Sequence, residues 1–194
     1  MFKKRLMVVA MTCMLSAASL MCVHAEGPQT EAAAIETTVQ AKELTWDDNM
    51  QKMFTDNGFA GTVFNVDGLG IKLLVPEGLE ERQPTEEEKA KDTKLVFENA
   101  EKEQKIELVL GKVSECKSLE EVKAFMEQQF PGVAIHETKI NGLDTLVYGS
   151  EQSNSMCVLI GAGDAGFLRV ICRPVNDPQM SQLYSYVAAS IQKI

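Results

Sequence analysis

The stretch that decides the fold is NGLDTLVYGSEQSNSMCVLIGAGDAGFLRVICR, which runs from Asn141 to Arg173. Three runs in it, residues 143–148, 156–160 and 167–172, are apolar and β-branched, and clusters of Gly, Ser, Asn and Asp separate them. Such runs between turn-forming clusters are typical of consecutive antiparallel strands. The stretch therefore predicts a meander whose apolar face another element must cover.

The segment after the meander predicts that covering element. Residues 177–194 carry apolar side chains at the spacing of one helix face, and Asp177 followed by Pro178 is a typical helix start. The apolar positions are Met180, Leu183, Tyr184, Val187, Ala188 and Ile191. We expect an amphipathic helix that packs on the sheet.

Turn dipeptides divide the rest of the chain into hairpins. Asp67-Gly68 joins residues 62–66 to 70–75, and Asn141-Gly142 joins 133–140 to 143–148, which sets Lys139 opposite Asp144. A third hairpin pairs residues 95–98 with 105–113, where apolar and charged side chains alternate.

Two further helices have recognisable ends. Thr45 is the expected N-cap of the first, which Asn57-Gly58 ends, and Ser118 opens a capping box for the second. The sequence predicts a single α+β domain over residues 44–194, with an antiparallel sheet of six to eight strands packed against helices.

The first 25 residues predict a signal peptide. Lys3, Lys4 and Arg5 precede an apolar stretch over residues 6–20, and Val23-His24-Ala25 suits cleavage after Ala25. We expect a secreted or otherwise extracytoplasmic protein, in a periplasm or on a cell surface, with a flexible linker over residues 26–43. A lipid anchor at Cys22 is the alternative, although the residues before it lack the small side chain of lipidation signals.

The charge balance excludes one class of partner. The chain has 19 basic and 28 acidic residues, and loss of residues 1–25 leaves 16 basic residues and a net charge of −12. A nucleic-acid partner is not expected, because such a protein must supply positive charge to the phosphates. We expect an unidentified protein or envelope component, and the oligomeric state stays open.

Three cysteines remain after cleavage, namely Cys116, Cys157 and Cys172. An odd number excludes complete pairing. If residues 161–166 close a hairpin, Cys157 and Cys172 fall opposite each other on one face. Two small buried thiols are expected there, and a disulfide between them is the alternative.

The order of these elements resembles a known family. Residues 70–79, GIKLLVPEGL, look like the opening strand and Pro-x-Gly turn of the PsbP-like superfamily, and the Ser-Leu-Glu-Glu helix start, the Asn-Gly hairpin and the closing helix follow in order. The resemblance covers residues 59–194, and an exported bacterial member would be nearest the DcrB-like proteins. It implies an antiparallel sheet between helices and no single activity.

No catalytic constellation or cofactor site stands out. Residues 161–166, GAGDAG, fit the dinucleotide pattern G-x-G-x-x-G, but a predicted strand follows them instead of the required helix. We therefore predict a hairpin turn and no cofactor.

The leading hypothesis is a non-enzymatic binding or accessory protein. The alternative is a secreted hydrolase that uses His136, the only histidine left after cleavage, or acidic residues. Loops on a rigid scaffold commonly carry binding sites. The acidic connector over residues 79–92, with Glu86, Glu87 and Glu88, is therefore a candidate partner-facing loop.

Overall fold

The structure, a computed structural model, describes residues 43–194. The predicted signal peptide, Cys22 and residues 26–42 of the predicted linker lie outside the described residues. The helices are α1 (Asp48–Asp56), α2 (Glu86–Lys89), α3 (Leu119–Gln129) and α4 (Pro178–Ala189). The strands are β1 (Gly61–Val66), β2 (Ile71–Pro76), β3 (Glu80–Arg82), β4 (Thr93–Asn99), β5 (Gln104–Gly111), β6 (Ile135–Ile140), β7 (Leu143–Ser150), β8 (Ser155–Gly161), β9 (Phe167–Arg173) and β10 (Gln192–Lys193).

Seven strands form one antiparallel sheet in the order β3-β4-β5-β9-β8-β7-β6. The predicted meander is confirmed as β7, β8 and β9, and the predicted hairpins β4–β5 and β6–β7 are present. Lys139 lies opposite Asp144, and their side chains form an ion pair with Nζ and Oδ1 2.8 Å apart. The α+β class and the predicted strand number are confirmed for this sheet.

The hairpin of β1 and β2 belongs to a second sheet of three strands, ordered β1-β2-β10. The small sheet and α4 together cover one face of the seven-stranded sheet, and the central core lies between them. It contains Ile71 and Leu73 from β2, Tyr184 and Val187 from α4, and Val170 from β9, each at most 5% exposed. The other face carries α3, which buries Val122 and Met126 against the sheet, and the short helix α2.

The predicted terminal helix is present, but it ends at Ala189 and not at Ile194. Ser190 explains the end, because its hydroxyl accepts a hydrogen bond from the Leu74 backbone N–H at 2.7 Å and donates to the Val187 carbonyl. The chain then turns outward, and β10 pairs with Lys72 and Ile71 of β2. Ile191 lies beyond the end of α4 but is fully buried. Its place in the apolar pattern is therefore due to burial in the core and not to helical structure.

Helix α1 packs on the outer side of α4. Its N-cap is Asp47 and not the predicted Thr45, because the Asp47 carboxylate accepts from the Met50 N–H. Phe54 packs edge to face against Tyr186 of α4 with ring centroids 5.6 Å apart. The Asn57 side chain, at the predicted end of α1, donates to the Tyr186 hydroxyl at 2.7 Å.

Asn141 connects three distant segments at one corner of the domain. It sits at the β6–β7 turn with a left-handed backbone, φ 50°, as its place in an Asn-Gly turn predicts. Its side-chain amide donates to the carbonyls of Ala189 and Ile191, both at 2.8 Å, and its side-chain oxygen accepts from the backbone N–H of Trp46. Its own N–H donates to the Leu44 carbonyl. The turn thereby fixes both the start of the domain and the end of α4.

Replacement of Leu183 by Asp tests the docking of α4. Leu183 is 8% exposed and packs in the outer cluster with Phe54, Leu74 and Tyr186. We expect Leu183→Asp to lower the free energy of unfolding by about 4 kcal/mol or more, since truncation of a buried leucine alone costs about 2–5 kcal/mol and the carboxylate has no buried partner. Chemical denaturation followed by circular dichroism measures the change. Gln179→Asp, on the exposed first turn of the same helix, is the matched control, and equal stability of the two variants would show that α4 is not docked.

Candidate binding surface

The face of the seven-stranded sheet that carries α2 and α3 is not fully covered. Helix α2 lies over β4, and α3 lies over β7 and the start of β9. Between the two helices β9 presents Arg169, Ile171 and Arg173, all half-buried. We call these three residues the β9 strip.

Beside the β9 strip, six charged side chains form a continuous ion-pair network. Arg82 binds Glu88 through both terminal nitrogens, at 2.7 and 2.9 Å, and binds Glu98 through Nε. Lys105 contacts Glu88 and lies 3.1 Å from Glu107, whose other oxygen is 2.8 Å from Arg173 Nη2. Lys105 and Glu107 are only 9% and 8% exposed. Buried charges of this kind need partners to offset their desolvation, and the network supplies them.

The network keeps Glu88 ionised. The hydrogen bonds from Arg82 are the main reason that the pKa of Glu88 lies far below its usual range, and Lys105 contributes further. The same contacts, led by the one with Glu88, raise the pKa of Arg82. A carboxylate held in this way cannot deliver a proton near neutral pH, so Glu88 has a structural role.

The acidic connector is therefore only partly exposed. Thr85 caps the short helix α2 through a capping box with Glu88. Glu86 and Glu87 are 91% and 80% exposed and pair with Lys89 and Lys91, whose hydrogen bonds lower the pKa of each carboxyl. Glu88, in contrast, points into the sheet and is 12% exposed. Its inclusion in the candidate loop is wrong, because Arg82 and Lys105 bind it from the protein side.

The predicted pairing of Cys157 with Cys172 is wrong by one residue. Cys157 lies opposite Ile171, and Cys172 lies opposite Met156. Because successive side chains of a strand point to opposite faces, Cys172 lies in the central core whereas Cys157 faces the α3 side. Both are free and buried, and Cys116 is free and half-buried. The expected buried thiols are confirmed, and the alternative disulfide is excluded by this register.

Cys157 belongs to a small polar group beside the β9 strip. It lies opposite Tyr148 of β7, and the Tyr148 hydroxyl and the Cys157 thiol influence each other's pKa. Burial raises the pKa of Cys157 to about 11, against the opposing effects of Tyr148 and the nearby Arg169. Burial also raises the pKa of Tyr148, and Arg169 again opposes the shift. Both groups are thus neutral near neutral pH, and the guanidinium of Arg169 is the charge among them.

His136 lies on the exposed edge strand β6, opposite Val147, as the predicted register has it. It points away from Cys157, because Cys157 aligns through Tyr148 with Ile135, the neighbour of His136. The acidic connector adjoins β3 and β4 at the other edge of the sheet, six strand spacings or roughly 28 Å away. The structure therefore does not bring His136 together with Cys157 or with the acidic connector.

The glycine-rich loop forms a turn between strands, as predicted. A single 3-10 turn over Gly163–Ala165 leads directly into β9, so no helix N-terminus faces the loop. Across residues 43–194, no group of three or more His, Cys, Asp or Glu side chains is placed to hold a metal ion. In the same range no helix is both long and apolar enough to cross a bilayer.

Two open clefts lie elsewhere on the domain. One of about 470 Å³ lies between the β1–β2 hairpin and β4, where Phe64 meets Phe97. The other, of about 370 Å³, lies between the loops that follow β1 and β8 and is lined largely by aliphatic side chains and glycine. Neither cleft includes a residue of the β9 strip, the ion-pair network or His136.

No protein-family model matches the chain, and no curated protein matches its sequence. Among solved structures, the chain is similar to the solution structure of cyanobacterial PsbP (CyanoP) from Synechocystis sp. PCC 6803. The sequence identity is 13%, the match covers 69% of this chain and 92% of that chain, and the TM-score is 0.49. This similarity carries nothing about activity, ligand or partner.

Replacement of Glu88 by Gln tests the structural role of the network. The variant leaves Arg82 and Lys105 without a shared carboxylate, and we expect a loss of about 3 kcal/mol in unfolding free energy, the lower end of the range for breaking a buried ion pair. Glu86→Gln, which breaks an exposed pair, should lower the unfolding free energy much less than Glu88→Gln does. Chemical denaturation of both variants measures the difference, and equal losses would contradict the role given to Glu88.

The same pair of variants predicts a pH dependence. Because the pKa of Glu88 is lower in the folded protein than in the unfolded chain, its contribution to stability is complete above the unfolded value of about 4.3 and is lost as the pH falls below it. The stability difference between wild type and Glu88→Gln should therefore narrow on acidification. A difference that stayed constant below that pH would show that Glu88 is not the titrating group.

Thiol counting tests the register of β8 and β9. A protein that starts at Glu26, the predicted mature terminus, contains three cysteines. We expect all three thiols to react after denaturation, even after exposure to a mild oxidant, because Cys157 and Cys172 point to opposite faces of the sheet. In the native protein only the half-buried Cys116 should react near neutral pH, since burial raises the pKa of Cys157 and of Cys172 and the thiolate is the reactive form. Titration with a chromogenic disulfide reagent measures both counts. One thiol after oxidation and denaturation would contradict the register.

Proposed function

We propose that the protein is an exported, non-enzymatic binding or accessory protein that contacts its partner through the β9 strip. Its place is outside the cytoplasm, as a secreted protein or in a periplasm or on a cell surface, after removal of the predicted signal peptide at Ala25. The lipid anchor at Cys22 is the alternative way of holding it there. The partner is a protein or envelope component and not a nucleic acid, because the exported chain is strongly acidic.

The observation that supports this proposal is the composition of the β9 strip. Ile171 is a half-buried aliphatic side chain with an arginine two residues away on each side, at a place where the sheet is left uncovered between two helices. Protein interfaces commonly combine an apolar centre with arginine and a polar rim. Exposed Glu86 and Glu87 of α2 lie near the rim of this surface, and their contact with a partner stays a prediction.

An affinity experiment with two matched variants tests this function. Tagged protein is used to capture partners from an extract of the cell envelope, and Ile171→Asp is compared with Val63→Asp. Val63 is a 47% exposed side chain on β1 of the other sheet, so the control introduces the same charge away from the β9 strip. We expect wild type and Val63→Asp to recover the same partner and Ile171→Asp to lose most of it, since a carboxylate in the apolar centre of an interface must be desolvated.

Three outcomes would overturn the proposal. Equal recovery by Ile171→Asp would place the binding surface elsewhere, and failure of wild type to recover a specific partner would contradict binding. The third concerns the alternative hydrolase. A turnover measured with wild type and lost in His136→Ala, with the fold intact by circular dichroism, would make the protein an enzyme.

A further inference from the structure

Arg169 is an arginine without a partner in a structure that pairs its other arginines. The structure describes three arginines, and the guanidinium groups of Arg82 and Arg173 each bind a carboxylate. No carboxylate among residues 43–194 lies within ion-pair distance of Arg169. Its Nε is fully buried and lacks any hydrogen-bond acceptor, the one such side-chain atom in the described chain.

The surroundings of Arg169 make this state unfavourable for the isolated domain. Its cross-strand neighbours are Val109 of β5 and Leu159 of β8, only 4% and 1% exposed. The stem of the side chain therefore emerges from an apolar floor, where a donor without an acceptor costs free energy. Tyr148 and Cys157 are the polar groups whose titration responds to the guanidinium, and both are neutral near neutral pH. Nε is the one Arg169 nitrogen that is buried without a partner, so the charge and the terminal N–H groups are left for a molecule outside the domain.

The shape of the guanidinium defines the class of ligand. The two terminal nitrogens form a planar fork that matches the two oxygens of a carboxylate or phosphate. An outside molecule can reach these nitrogens, whereas it cannot reach the buried Nε. A carboxylate fits this site better than a phosphate, because the fork takes both carboxylate oxygens, whereas a phosphate would leave further charged oxygens against Ile171. The site lies on the open strip with Ile171 beside it, which suits the side chain of a polypeptide that covers both residues.

We propose that Arg169 anchors a carboxylate-binding site on the β9 strip, which receives an Asp or Glu side chain of a partner polypeptide. This inference rests on the proposed binding function and assigns the chemistry of its central contact. The carboxylate accepts from one N–H of each terminal nitrogen, while apolar atoms of the partner cover Ile171.

Nuclear magnetic resonance of the arginine side chains tests the site directly. The Nε–H signals of the exported protein are followed while a short blocked oligoglutamate peptide is added, and an oligoglutamine peptide of the same length is the matched ligand control. We expect a saturable shift of the Arg169 signal with oligoglutamate alone. The Arg82 signal, committed to Glu88 and Glu98, should not move. No shift at Arg169, or equal shifts with both peptides, would overturn the proposal.

Two substitutions and one control variant distinguish the contribution of the planar guanidinium from that of its positive charge. Arg169→Gln is expected to weaken oligoglutamate binding about tenfold or more, as loss of a charged hydrogen bond implies, and Arg169→Lys should also weaken it because an ammonium lacks the planar fork. Lys193→Gln removes the same charge from an exposed position on the other sheet and should leave binding nearly unchanged. Circular dichroism melts verify that each variant is folded. Equal weakening by Arg169→Gln and Lys193→Gln would reduce the effect to net charge and overturn the site.

Further measurements distinguish the carboxylate site from a phosphate site and from a binding surface elsewhere. Inorganic phosphate that shifts the Arg169 signal at lower concentration than oligoglutamate would overturn the choice of carboxylate. A partner recovered equally by wild type and Arg169→Gln would overturn the site and leave the proposed function standing. Oligoglutamate binding at Arg169 without any recovered envelope partner would instead support the site and contradict the proposed function.

Discussion

The packing of α4 beside the small sheet, on one face of the seven-stranded sheet, is the interaction on which the rest of the structure depends. Its inner side places Tyr184, Val187 and Ile191 of the following turn in the central core, and its outer side offers Tyr186 to α1. A helix of twelve residues is marginal by itself in water, whereas each large apolar side chain contributes roughly 1.5–3 kcal/mol when fully buried. The helix and the two sheets therefore form together. The Tyr184 hydroxyl, which donates to the Arg173 carbonyl at 2.8 Å, and Ser190, which holds β2, fix the helix relative to each sheet.

The other face of the seven-stranded sheet is covered only by α3 and the short helix α2. Helix α3 buries the half that contains β6, β7 and β8, but α2 has only four residues and few apolar side chains to offer. The strands beneath α2 accordingly present Lys105 and Glu107 in place of aliphatic side chains, and the ion-pair network offsets the cost of their burial. Such a network stabilises the fold less than an apolar core of equal volume would. It does specify where α2 sits, and with it the border of the β9 strip.

Local sequence patterns are sufficient to predict most helices and strands. They fail where a contact with a distant residue determines the register of a strand or the end of a helix. The Asn141-Gly142 turn is short and sets the register of β6 and β7 from sequence alone. The loop after β8 is longer, and its 3-10 turn moves the pairing of Cys157 by one residue. The end of α4 depends on the backbone of Leu74, more than a hundred residues earlier, and no pattern near Ser190 shows that contact.

The candidate binding surface, too, could be predicted from the sequence only in part. The run of glutamates predicts an exposed acidic connector, and two of its three members are exposed. The pairing of Glu88 with Arg82 and Lys105 requires the sheet to bring them together. The sequence contains one feature from which the β9 strip could have been predicted. Arg169 is a lone charge within the apolar run FLRVIC, and a charge in such a run usually has a specific partner or a specific purpose. Which of the two applies depends on neighbouring strands and cannot be read from the run.

The turn at Asn141 has a consequence for the chemical lifetime of the protein. An asparagine followed by glycine is prone to deamidation, in which the next backbone nitrogen attacks the side-chain carbonyl and ammonia leaves. Here the Asn141 amide is held by two carbonyl acceptors and by the Trp46 N–H, so the folded state restrains the rotation that the attack requires. A chain that has lost its amide would place a carboxylate against the carbonyls of Ala189 and Ile191, where a donor is needed. Ageing of the unfolded chain at this single site would thereby impair its refolding.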